Sequence, residues 1–242
     1  MVTKLISTSL SVTFDRQIQI RRRANDFEDR LKGRYHQPLV VPVPDEMDPE
    51  IPRIVFQSLH GFSQLIVSQI SVVLTAIYSP DWQVDMNKGQ KYFKERGQLL
   101  FELLDVLENV RPFFCGVTNR AHIVCSGGDR DVLNQIAEVF FKSSLDNQVT
   151  DVKVERTTVV SGRFYSNTVV RNFRLWPQSD KQQIVRLPSN AAVERGIEIL
   201  CDFNDRYAFN ESDSYISDKS LLDEIIRGGF FELQESLHQL GG

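Results

Sequence analysis

Residues 151–175 read DVKVERTTVVSGRFYSNTVVRNFRL, and their pattern decides the class of fold. Val, Thr, Tyr and Phe dominate both halves, residue types that suit a pleated, half-buried surface. Ser161-Gly162 divides the halves by two residues, the length and chemistry of a tight hairpin turn. The stretch therefore predicts an antiparallel hairpin with strands over 151–160 and 163–175.

Working outward, 184–187 and 196–203 read as further strands joined through Pro188-Ser189-Asn190. Upstream, 113–126 reads as a strand that turns at Gly127-Gly128 into a helix over 129–142. A helix opened by Asp85 carries Tyr92, Arg96, Leu100, Leu103, Leu107 and Val110 at steps of three and four, with Pro112 as its stop. Before it, 54–58 and 62–69 form an expected hairpin about His60-Gly61, and 70–78 a third extended stretch. Residues 4–14 alternate as a strand, and Asp15 is placed to cap a helix within 16–32 that Gly33 ends. The last helix spans 217–240, with Ser217 or Ser220 at its start and a kink or break at Gly228-Gly229. Consecutive strands pair antiparallel, so the class is α+β: mostly antiparallel sheet packed against about four helices. One domain over 1–242 is expected, and a division into two lobes would fall within 110–150.

Pro38, Pro42, Pro44, Pro49 and Pro52 place five prolines in fifteen positions, which forbids regular helix there. Leu39, Val40, Val41 and Val43 lie among them, so the segment is expected to be a strap packed on the domain.

Apolar residues make up 41% and charged residues 25% of the 242, a globular composition with ample material for a core. Phe occurs 16 times against two Trp. The net charge of −4 argues against a protein that coats nucleic acid with its whole surface. The longest apolar-rich run, 65–78, is broken by Ser68, Gln69, Ser71 and Thr75, and 1–14 alternates rather than forming an apolar block. Cys115, Cys125 and Cys201 are odd in number and lack metal or redox spacing. A cytoplasmic setting is expected.

The order of elements, with IPRIVFQS at 51–58, QLIVS at 64–68 and IEILCDFN at 197–204 before a final helix, resembles a sporadically distributed family of uncharacterised prokaryotic proteins. The resemblance implies an α+β fold and an arginine-bearing strand after the central helix. The counterpart here is 115–125, which holds Arg120. It carries no catalytic residue across.

Within 16–34, seven Lys or Arg face three acids, and Arg21, Arg22 and Arg23 form a candidate phosphate- or partner-binding face. A solvated helix face with local ion pairs explains the same residues. Asp151-Val152-Lys153 with Glu155 has the spacing of a metal-dependent nuclease strand, for which Asp129 or Asp131 would supply a second acid. An exposed strand of alternating charge explains it equally well. His36, His60, His122 and His238 show no metal spacing, and each reads as a turn, surface or satisfied strand residue. Nucleotide-binding glycine motifs and the GxSxG motif are absent, so no cofactor and no metal are expected. Within 202–224, seven acids face two bases, and Tyr207, Phe209, Tyr215, Phe230 and Phe231 offer a partner-binding aromatic set.

These readings favour a non-catalytic interaction component of a prokaryotic multi-protein system, of the kind carried by mobile or defence-associated loci. A protein partner or self-association is expected, with no membrane. The alternatives are a metal-dependent nuclease or other phosphoryl-transfer enzyme at Asp151 and Lys153, and a nucleic-acid-binding module using Arg21, Arg22 and Arg23.

Overall fold

A computed structural model of the chain describes residues 2–107, 110–177 and 187–241. Its centre is one nine-stranded antiparallel sheet. The strands are β1 Val2–Phe14, β2 Leu39–Val40, β3 Ile54–Gln57, β4 Ser63–Val67, β5 Ser71–Ile77, β6 Pro112–Val124, β7 Lys153–Val160, β8 Phe164–Leu175 and β9 Glu194–Asn204. They lie in the order β2-β3-β4-β5-β1-β6-β9-β8-β7. β6, from the region where a division into two lobes would fall, pairs with both β1 and β9.

Six α-helices occur among the described residues, against about four expected: α1 Ala24–Leu31, α2 Pro80–Gln83, α3 Met86–Leu104, α4 Asp129–Phe140, α5 Arg206–Glu211 and α6 Leu222–Gln239. The additional ones, α2 and α5, are four and six residues long, too short for periodicity to reveal. The expected strand over 184–187 falls largely on 184–186, outside the described residues.

Alternation along the strands sends one side chain in two into the core. Leu10, Val12, Val117, Ile123, Ile197, Ile199 and Phe203 are buried there with Phe93 and Leu100 of α3 and Ile225, Ile226, Phe230 and Leu233 of α6. Each fully buried side chain of this size contributes about 2 kcal/mol. The hairpin of β7 and β8 has the expected turn, with Ser161 and Gly162 both at positive φ (53° and 61°), the backbone that matches strand twist.

Several expected helix ends are corrected. Asp15 caps no helix; its Oδ1 instead accepts from the Arg111 amide at 2.7 Å, tying β1 to the start of β6. Asp85 does cap α3, accepting from the amides of Asn87 and Lys88, but the helix stops at Leu104 and not near Pro112. The segment before α6 is opened by Asp218, whose carboxylate accepts from the Ser220 amide, rather than by Ser217 or Ser220. α6 also runs unbroken through Gly228-Gly229. A Cβ at 229 would fall 2.3 Å from Val117 Cγ1, and one at 228 would fall 2.5 Å from the Phe203 ring. These glycines allow helix and sheet to touch; they do not bend the helix.

The proline-rich strap is held by Arg53, which is fully buried at the entry to β3. Its Nη1 donates to the Ile51 carbonyl at 2.7 Å, and its Nη2 lies 3.3–3.4 Å from the carbonyls of Pro44, Met47 and Asp48. Gln69, also buried, donates to the carbonyls of Ile18 and Asp45 and accepts from Arg16 Nε. Only Leu39–Val40 of this segment join the ladder, as the edge strand β2, and two side chains beside the inner strands supply the donors that fasten the rest.

Candidate functional site

On β9 the same alternation that buries Ile197, Ile199, Cys201 and Phe203 points Glu198 to the opposite face of the sheet, away from α6. Register then decides its neighbours. Lys4, His122, Glu198, Arg171 and Lys153 stand opposite one another in a single row across β1, β6, β9, β8 and β7. Arg120, two residues before His122 on β6, leans into the same row.

The Glu198 carboxylate is the hub. Its side chain is only 5% exposed. Arg120 Nε donates to Oε2 at 2.6 Å, Arg171 Nε donates to Oε1 at 2.6 Å, and Nη2 of each arginine binds the same oxygen as its own Nε. His122 Nε2 lies 3.1 Å from Oε2, and its ring stacks on Phe173 at 4.0 Å between centroids. Burial, the largest influence on Glu198, would raise its pKa. The hydrogen bonds from His122, Arg120 and Arg171 together outweigh burial and hold the pKa down at about 2. The carboxylate is therefore charged at any physiological pH. The two arginines remain 43% and 52% exposed, whereas His122 is buried with no partner for Nδ1.

These groups floor an open depression of about 560 Å³, whose walls include Val152, Phe173 and Leu175. Its lining carries Arg120, Lys153, Arg171 and Arg174 against Asp151 and Glu198, an excess of two positive charges. Most of the surrounding cations have a carboxylate of their own. Lys4 pairs with Glu194, Lys153 with Glu155 at 2.9 Å, and Arg174 with both Asp129 and Asp151. Arg195 shares Asp129.

The depression includes two of the three residues of the expected nuclease strand, Asp151 and Lys153, and the structure changes their meaning. Asp129 and Asp151 do come together, but on the guanidinium of Arg174, at 2.7 and 2.8 Å. Arg174, with Arg195 also on Asp129, thus occupies the two acids that a divalent ion would need. Glu155 is turned to Lys153. Among the described residues no group of three or more His, Cys, Asp or Glu side chains is placed to hold a metal.

Arg21, Arg22 and Arg23 lie elsewhere, on a 3-10 turn before α1. Arg21 is bound to Asp45 at 2.7 Å and Arg23 to Asp26 at 3.3 Å, while Arg22 is exposed. Arg22 and Arg23 line a separate depression of about 410 Å³ with Gln17 and Gln19. The aromatic set is dispersed. Phe230 is a core residue at 2% exposure, which removes it from any surface, whereas its neighbour Phe231 is exposed. Tyr207 packs edge-on to Tyr165, Phe209 packs on Phe113 and Phe114, and Tyr215 donates to the buried Asp205 at 2.6 Å.

Sequence reading passed over Glu198, Arg171 and His122 as constituents of a site. The signal available was a lone acid between Ile197 and Ile199, with charged residues on the like-facing positions of two neighbouring strands. Compared with known proteins, the chain matches no family model and no curated protein.

Proposed function

We propose that the chain is a non-catalytic interaction component that grips an anionic group of a partner protein between Arg120 and Arg171. The observation that carries this reading is the stoichiometry of the hub: two arginines for one buried carboxylate. A single guanidinium would neutralise Glu198. The second leaves a net positive charge fixed in place, with both arginine side chains about half open to solvent. Carboxylate-held arginines lose little side-chain freedom on meeting a ligand, which favours binding.

The prokaryotic, mobile-element or defence setting is part of this proposal and rests on the resemblance of the quoted segments. A cytoplasmic site of action is likewise proposed; no helix among the described residues is long and apolar enough to cross a membrane.

The test is fluorescence anisotropy of a labelled polyglutamate peptide with the full chain, at low and high salt. Binding at low salt that weakens steeply with salt and disappears in the Arg120→Ala/Arg171→Ala double variant, while surviving Arg22→Ala, is the expected result. Binding that is absent at low salt, or indifferent to Arg120 and Arg171, overturns the reading.

A further inference from the structure

We infer that the group held between Arg120 and Arg171 is a phosphate monoester dianion, carried on a phosphorylated side chain of the partner. This rests on the reading that the hub binds an anion, and adds the anion's chemistry.

Donor geometry is the first reason. A guanidinium has five N–H donors, and Glu198 engages the Nε and Nη2 nitrogens of each arginine. The Nη1 groups and the remaining Nη2 protons, about six N–H in all, have no protein acceptor among the described residues. They belong to two guanidinium groups that meet at one carboxylate, one on each of its oxygens. A carboxylate ligand presents only two oxygens, in one plane, and a single negative charge. A tetrahedral phosphoryl group presents three acceptor oxygens in different directions and can draw on both edges at once.

Charge distribution is the second. The surrounding cations of the row and rim are matched by Glu194, Glu155, Asp129 and Asp151, so the positive excess sits at one point. A nucleic-acid strand carries one charge per phosphate along its length and calls for a stripe of unmatched cations. A monoester concentrates close to two negative charges on one group, which suits a point.

Shape is the third. The depression is open, and the arginines on its floor are half exposed, whereas a small free ligand is ordinarily enclosed over most of its surface. An open floor with Val152, Phe173 and Leu175 beside it suits a phosphoryl group attached to a larger body, with the residue next to it resting on the apolar wall.

The experiment uses the full chain and three labelled peptides that differ at one position, phosphoserine, glutamate or serine, with an apolar neighbour. Inorganic phosphate and a single-stranded oligonucleotide serve as competitors. The phosphopeptide is expected to bind about tenfold or more tighter than the glutamate peptide, and phosphate to compete weakly. Arg120→Lys and Arg171→Lys, which keep the charge and lose the fork, are each expected to remove most of that preference. Thermal melts of both variants show that they are folded, and either one suffices if the other is not. Equal affinity for the phospho- and glutamate peptides overturns this inference and leaves the broader reading standing. A preference that survives both Lys variants overturns the assignment to this site. Inorganic phosphate binding as tightly as the phosphopeptide would point to a small phosphorylated molecule, and a tighter oligonucleotide to nucleic acid; either overturns the inference. No arginine-dependent binding of any probe removes inference and reading together.

Discussion

Nη1 of Arg174 lies 2.8 Å from Oδ1 of Asp151, so the carboxylate that opens the 151–155 motif is already bound by a cation of the chain itself. Hydrogen bonds from Asn172 and then Arg174 hold Asp151 below the usual carboxylate range. Asp151 is 69% exposed, so Asp151→Ala is expected to cost less than about 1 kcal/mol. Urea melts would measure it. Wild-type melts with and without Mg²⁺ should superimpose, and a clear Mg²⁺-dependent rise in Tm would show that Arg174 yields its place to the metal.

Glu198 gives the protein a distinctive acid response. Its pKa in the fold is about 2, below the value of 4.5 for a free glutamate, so its ion pairs contribute stability at pH values above about 4.5. That contribution is lost as pH falls from the free-glutamate range through about 2. Stability measured against pH should therefore decline over this window in the wild type. The decline should be shallower in Glu198→Gln, which starts from a lower plateau. An unchanged slope in the variant would show that other carboxylates account for the acid transition.

Arg53 is expected to be the fastening of the strap. Arg53→Ala removes the buried donors to Pro44, Met47, Asp48 and Ile51 and leaves those carbonyls unmatched, at a cost of about 3 kcal/mol. Hydrogen exchange should rise first at Val41 and Val43, whose amides are bonded within or beside the strap. Exchange that rises evenly over the whole sheet would instead assign Arg53 a global role.

Gly229→Ala tests the reason for the glycine pair in α6. Helix propensity alone favours Ala by about 1 kcal/mol. The added Cβ would fall 2.3 Å from Val117 Cγ1, and such overpacking costs about 1–3 kcal/mol, so the variant should be less stable than the wild type. A gain in Tm would mean that α6 shifts off the sheet without penalty.

Much of the secondary structure was legible from sequence because its causes are local. The turn at Ser161-Gly162 needs only two residues able to take positive φ, and the strand alternation of β1, β6 and β9 needs only one buried face. The same local reasoning placed the strap, since proline excludes helix whatever surrounds it. It failed where two local causes compete. Gly228-Gly229 weakens a helix by propensity, but close packing on Val117 and Phe203 prevails. Asp15 is a good cap by type, but the Arg111 amide, 96 positions away, claims it.

The candidate site divides in the same way. Asp151, Lys153 and Glu155 were picked out because their spacing lies within one strand, but what they do depends on Arg174 and Asp129, which spacing does not reveal. Arg120 drew notice only through the resemblance. By itself the sequence determined the antiparallel α+β character and the hairpin at 151–175, because alternation and turn chemistry act between neighbours in the chain. Only the tertiary structure decided that Arg120, His122 and Arg171 share Glu198. They lie 78, 76 and 27 positions from it, and the strand order β6-β9-β8 with its register is what sets them side by side.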